Sequence, residues 1–482
     1  MLDLRPVGYV LGLLVAALGL TMFAPLLADL LAGDPHWSAF LESAIITTLT
    51  GGLVALACSN GVSAGLSLRQ TFLLTALVWL LLPLFGAIPF ILGATHASFT
   101  NAFFEAMSGL TTTGSTTFAG IDDFPDGLKL WRATLQWLGG VGIIVVGMVF
   151  LPELRVGGMQ IFRSEAFETM GKILPRAGEI ASSISVIYLG LTVACGLAYM
   201  ATGMGPFDAL VHAMTTVSTG GMANYDSSFG NFSAGAHYVG TVFMVLAALP
   251  FVRFVQLLAG SAKPIWRDSQ IRTFFAIIAV CVMLVTSWVW GREGEFSEPA
   301  FREALFNVVS VMSGTGFSSA DYMTWGTFPV VIFFFVGLIG GCAGSTACSV
   351  KVFRYQILFA SIKAQIRQIH SPHGIFTPRF EGRPIGEDVL SSVMAFFVAF
   401  ILLLGVTSVL LGLTGLDFIT SVSGAATAIA NIGPGLGNEI GPAGNFVGIN
   451  DTAKWILSAA MFIGRLEIMV VLTIISVKFW RS

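Results

Sequence analysis

FFEAMSGLTTTGST (Phe103–Thr116) is the stretch on which the reading of this chain turns, because it occurs four times in altered form. The others are ALVHAMTTVSTGGM (Ala209–Met222), ALFNVVSVMSGTGF (Ala304–Phe317) and ITSVSGAATAIANIGPG (Ile419–Gly435). In each, a short apolar run leads into Gly- and Thr-rich sequence. A hydrocarbon core about 30 Å thick needs roughly 20 apolar residues to cross. These runs are too short for that and read as re-entrant helices that enter and leave on one side. One glycine recurs in the same place, at Gly114, Gly220, Gly316 and Gly433, spaced 106, 96 and 117 residues apart. The chain therefore reads as one roughly hundred-residue unit used four times.

Outward from these segments lie ten apolar stretches of spanning length: Val7–Ala32, Ser43–Leu66, Thr71–Ala94, Ala133–Leu151, Ile184–Gly203, Tyr238–Gly260, Thr273–Gly291, Thr327–Val350, Val389–Gly415 and Trp455–Val477. The 482 residues are 55% hydrophobic and only 11% charged, against about 25% charged in a soluble domain. Disorder and a soluble fold are both excluded. With the N-terminus on the cytoplasmic side, alternation of the spans puts 18 of the 24 Lys and Arg inside, which is the arrangement the positive-inside rule favours. Both termini are then cytoplasmic. Most acids, among them Asp122, Asp123, Asp126, Glu293, Glu295 and Glu298, fall outside, where they raise the local cation concentration. A net charge of −3 gives no field for nucleic acid.

The expected fold is an all-α polytopic membrane protein. Four parallel span, re-entrant helix, span repeats surround one pseudo-four-fold pore, with two extra N-terminal helices. The expected units are residues 1–69 (the helix pair), 70–155, 156–262, 263–383 and 384–482. Non-helical backbone at membrane depth is tolerated only where protein buries it or where it lines a watery cavity. Four such turns at matching positions point to a shared pore. Glycine accepts φ > 0, so successive carbonyls can face one axis and replace the hydration shell of a monovalent cation. The candidate donors are Thr112, Thr113 and Gly114; Ser218, Thr219 and Gly220; Gly314, Thr315 and Gly316; and Asn431, Ile432 and Gly433. No ring of carboxylates accompanies them, which argues against a divalent-selective site. The plainer explanation of any single glycine is helix capping or close packing, but it does not account for four phased copies.

TTTGST, STGG, SGTGF and NIGPG in this order, with WLGGVGIIVV (Trp137–Val146), GGCAGSTACSVK (Gly340–Lys351) and GRLEI (Gly464–Ile468), resemble the Trk/Ktr/HKT superfamily of potassium transporters. The two extra helices bring the chain nearest to its TrkH branch. The resemblance implies K+ as the transported ion and no organic cofactor. It also implies a homodimer with one pore per subunit in the bacterial inner membrane, and a TrkA-like ring of cytoplasmic nucleotide-binding domains that gates the pore. In one place the sequence departs from the family: where STAGGIK is usual, it reads Ser345–Thr346–Ala347–Cys348–Ser349–Val350–Lys351.

Gly340, Gly341, Gly344 and Ser345 lie in a run of small residues within the eighth span that can leave helical geometry cheaply. Together with the resemblance, this makes the run an intramembrane gate beneath the filter rather than a helix-packing face. Arg465 sits inside the last span, where a charge costs roughly 2.5–3.5 kcal/mol. It reads as a pore charge that stops the filter holding K+ too long, with a structural ion pair to another helix as the other possibility. His212 and Glu105 precede the second and first filters and read as caps or packing polars. The basic connection Lys351–Glu387 suits anionic lipid head groups or a regulatory subunit equally. The five cysteines lack metal-ligand spacing and read as small apolar residues. An alternating-access carrier of an organic solute is the rival from another class, but it would favour inverted repeats. No HExxH or Ser/His/Asp cluster suggests an enzyme.

Overall fold

A computed structural model describes residues 3–61, 66–145, 177–294 and 297–481. The architecture is helical; the only strands among these residues form a hairpin, Arg379–Phe380 against Arg383–Pro384. The N-terminal pair, Arg5–Thr21 continued by Phe23–Ala32 and then Trp37–Cys58, packs on small residues. A Cβ at Gly12 or Gly51 would run into the opposite backbone. This is how membrane helices gain contact when lipid offers no hydrophobic gain.

Four times the chain then repeats an entry helix, a short helix and a return helix. The entry helices are Leu68–Gly86, Ala177–Ala201, Ser269–Glu293 and Glu387–Leu413. The short helices are Phe99–Leu110, Pro206–Val217, Glu298–Ser313 and Phe418–Ala430. The return helices are Asp126–Val145, Ala234–Ala247, Thr327–Gly337 and Asp451–Arg465. Starts are set by side-chain caps. Ser98, Ser297 and Asp417 accept from first-turn N–H groups of three short helices, and the fourth opens on Pro206. The long helices show large apolar side chains outward, such as Leu53, Leu189 and Ile401, while Thr112, Thr113, Thr219 and Thr315 are wholly buried at the centre. That inversion suits a lipid-facing exterior around a polar axis.

Among the described residues six helices are long and apolar enough to cross a membrane as single rods, and two bent helix pairs pass the same test together. The expected span Tyr238–Gly260 turns by 90° between Ala247 and Phe251, and Trp455–Val477 turns by 105° between Arg465 and Ile468. Pro250, which has no N–H to donate, marks the first break. Glu467, at φ +62°, marks the second. The expected span Thr327–Val350 is helical only to Gly337. The end of Ala133–Leu151 and the expected unit boundary at 155–156 lie outside the described residues, as do the inner cations Arg155, Arg163, Lys172 and Arg176. The five cysteines are free thiols.

Candidate functional site

The C-terminal ends of the four short helices converge, and their backbones share one conformation. Each has two residues at positive φ flanking one that is not: Thr112 and Gly114, Thr219 and Gly221, Gly314 and Gly316, and Asn431 and Gly433. The central N–H returns to the short helix in every case: Thr113 to Ser108 O (2.8 Å), Gly220 to Thr215 O (2.9 Å), Thr315 to Ser310 O (2.9 Å) and Ile432 to Thr427 O (3.1 Å). This corrects the expected register of the second repeat by one residue. The counterpart of Gly114 is Gly221, not Gly220, and Ser218 stands level with Thr111, outside the turn.

The four turns close on one another. A Cβ at Gly114 would meet the Gly220 carbonyl, one at Gly221 the Thr315 carbonyl, one at Gly316 the Ile432 carbonyl and one at Gly433 the Thr113 carbonyl. Four neighbours in cyclic order make a ring about one axis. Of the twelve carbonyls from Thr112–Gly114, Thr219–Gly221, Gly314–Gly316 and Asn431–Gly433, only two accept a hydrogen bond among the described residues. Gly220 O accepts from Gln136 Nε2 (2.6 Å) and Gly433 O from Ser115 Oγ (2.7 Å). Buried carbonyls are normally paired, so the ten free ones around one axis are candidate donors to a cation or its water.

Immediately below lies the non-helical stretch 338–351. Gly340 N donates to Val350 O and Val352 N to Gly341 O, closing it on itself. Cys342 N bonds Ala248 O (3.0 Å), Thr346 N bonds Ala247 O (3.3 Å) and Phe251 N bonds Gly344 O (2.9 Å). The break in the second return helix and this loop thus satisfy each other's backbone groups, which lipid could not do. Of the expected gate residues, Gly344 and Ser345 line the cavity under the ring, while Gly340 and Gly341 do not. Cys348 reaches the ring, its Sγ 3.5 Å from Thr112 Oγ1. Arg465 Nη1 donates to the same sulfur (2.8 Å) and Nη2 to Gly139 O (3.2 Å). No carboxylate among the described residues pairs with Arg465; Glu467 is held by Arg354 at 2.6 Å. The remaining cavity is about 50 Å³, space for a water or two but not for a hydrated ion.

In the loops after the turns, Asp226 accepts from Gly120 N (2.7 Å) and Asp122 from Asp226 N (3.0 Å), so these two acids lace repeats one and two. Burial, with Asp208 beside it, pushes the Tyr225 phenol up to about 12. The basic connection is the helix Val352–His370 followed by the hairpin.

A membrane protein in which four turns close a ring of free carbonyls above an irregular loop has the layout of a cation-translocating protein. The family model TrkH, described as a cation transport protein, matches residues 36–481, and the chain belongs to that family. It is 41% identical over 480 residues to the Trk system potassium uptake protein TrkI of Halomonas elongata, covering 99% of this chain and 97% of that one. It is 35% identical over 485 residues to TrkH of Escherichia coli K12, covering 99% of each. The crystal structure of the potassium transporter TrkH from Vibrio parahaemolyticus matches with a TM-score of 0.90 at 32% identity, covering 100% of both chains.

Proposed function

We propose that this chain is the ion-translocating subunit of a Trk-type potassium uptake system of the bacterial inner membrane. K+ enters from the acidic outer side and sheds water onto the carbonyls of Thr112–Gly114, Thr219–Gly221, Gly314–Gly316 and Asn431–Gly433. It passes inward when the loop around Gly340, Gly341, Gly344, Ser345 and Cys348 moves aside. Neutral oxygens bind a monovalent ion without trapping it, and the Arg465 guanidinium below lowers the occupancy of the innermost position. A cytoplasmic nucleotide-binding partner drives the loop through Lys351 and the helix that follows it, and two copies assemble with a pore each. The observation that carries this reading is the cyclic closure of the four turns around unpaired carbonyls. A carrier for an organic solute would need a cavity far larger than the about 50 Å³ that the described residues enclose beneath the ring.

Reconstitution into sealed vesicles with imposed K+ or Na+ gradients tests it. Gly316→Ser puts a side chain at φ +83° against the Ile432 carbonyl and should lower K+ over Na+ permeability by about ten-fold. An unchanged ratio in an assembled variant rejects the filter assignment.

A further inference from the structure

Behind each turn, one side chain of the short helix accepts a hydrogen bond from the N–H of the residue four positions past the central one. In the first repeat Glu105 Oε2 accepts from Thr117 N (2.9 Å). In the second His212 Nε2 takes Asn224 N (3.4 Å). In the third Asn307 Oδ1 accepts from Ser319 N (3.2 Å), and in the fourth Ser423 Oγ from Leu436 N (2.9 Å). Glu105, His212 and Asn307 each stand eight residues before the central residue; in the fourth repeat that place is Gly424, and its neighbour Ser423 does the work. All four side chains are buried. His212 can accept at Nε2 because Nδ1 faces the Asp208 carbonyl at 2.8 Å and carries the proton.

The four acceptors differ in chemistry, and the first is the strongest. Glu105 also accepts from Thr116 Oγ1 (3.0 Å) and from Arg132 Nε (2.8 Å), at a side-chain exposure of 0% for the acid and 2% for the base. Arg132 Nη1 in turn donates to Ala223 O (2.9 Å), in the outer flank of the second turn. The pair therefore ties two adjacent turns together, whereas Asn307 and Ser423 each hold only their own.

We propose that Glu105, His212, Asn307 and Ser423 are positioning residues that set the width of the carbonyl ring, with Glu105–Arg132 as the dominant brace. The proposal rests on the filter reading above. A ring sized for K+ discriminates only while its backbone resists closing around a smaller ion, and buried hydrogen bonds to the outer flanks supply that resistance. None of the four braces need touch the ion.

The test uses the full chain in vesicles and reads the K+ to Na+ permeability ratio alongside oligomeric state. Glu105→Gln keeps the shape but cannot accept from both Thr117 and Arg132, and should lower the ratio about five-fold. Asn307→Leu removes the acceptor and should lower it about three-fold. Ser423→Ala deletes one hydroxyl, so it keeps the proposal decidable if Glu105→Gln fails to assemble; it should lower the ratio about two-fold. If assembled Asn307→Leu and Ser423→Ala keep the parental ratio while Gly316→Ser lowers it, the braces are mere packing and the proposal falls. If Gly316→Ser also leaves the ratio unchanged, the filter reading itself has failed.

Discussion

The turns of this molecule repeat, and among the described residues the ends of the return helices do not. Four turns of different sequence, TTTGS, STGGM, SGTGF and ANIGP, adopt one φ pattern and one hydrogen-bond pattern. Three of the return helices that follow them end differently, and the end of the first lies outside the described residues. Asp126–Val145 runs straight through the described residues, Ala234–Ala247 turns by 90°, Thr327–Gly337 gives way to an irregular loop, and Asp451–Arg465 turns by 105°. A ring that coordinates one ion needs every member in place, because each supplies a share of the same shell. An obstruction needs only one member, so the third repeat can specialise without cost to the ring. On the proposed reading, selection requires the equivalence of the turns and gating the divergence beneath them.

Removing the divergent element should disturb the molecule most. Deleting Gly340–Ser345 takes away the segment that meets Ala248 and Phe251 and draws Cys348 from under the ring. Flux should rise at least about ten-fold and lose its dependence on the cytoplasmic partner, with K+ over Na+ selectivity kept. Vesicle flux with and without the partner, on protein of verified oligomeric state, checks this. Low flux that still follows the partner would return these residues to a packing role.

A smaller effect sharpens the membership of the ring. In the second repeat two glycines stand together, and only Gly221 has positive φ, at +77°. A Cβ there would overlap the Thr315 carbonyl, whereas one at Gly220 would press on the end of the Gln136 side chain. A non-glycine residue held at such a φ costs of order 1–3 kcal/mol. Gly221→Ala should therefore lower the K+ to Na+ permeability ratio about ten-fold and Gly220→Ala about three-fold. The reverse order would move the ring position back to Gly220.

That ambiguity shows where the sequence stops being legible. Spanning hydropathy and four phased glycines can be read without coordinates, and so can the small-residue run of the eighth span. The adjacent pair Gly220–Gly221 fits the repeat in either register, and the positive φ of Thr219 (+50°) and Gly221 (+77°) decides between them. The one-residue slip also separates Glu105 from His212, which share a structural position; Glu, His and Asn share no sequence pattern, only an acceptor atom. The breaks at Pro250 and Glu467 vanish inside apolar windows because hydropathy has no term for direction. Pro250 was an available signal, since proline at that depth removes a backbone donor. Arg465 lacks a sequence-near partner, and its role under Cys348 depends on a contact 117 residues distant.

The smallest expected effect lies within the divergent loop, at Ser349. This residue occupies one of the two places where the family has glycine, and it sits at φ +62°, a conformation glycine adopts without strain. It is held there by two bonds: Ser349 N donates to Ala430 O (2.9 Å), at the end of the fourth short helix, and Oγ donates to Gly337 O (2.8 Å). Ser349→Gly relieves about 1 kcal/mol of backbone strain but forfeits a hydroxyl bond of similar worth, so thermal stability should change by no more than about 2 °C. The two effects differ in kind. The strain is present wherever φ stays positive, whereas the Oγ bond ties the loop to the end of the third return helix and must break if the loop is to move. Losing the tie therefore favours the open arrangement, and partner-driven flux should rise about two-fold with the permeability ratio unchanged. A fall in flux would mean that the hydroxyl bond serves the open state, and the loop would then move with the return helix instead of away from it.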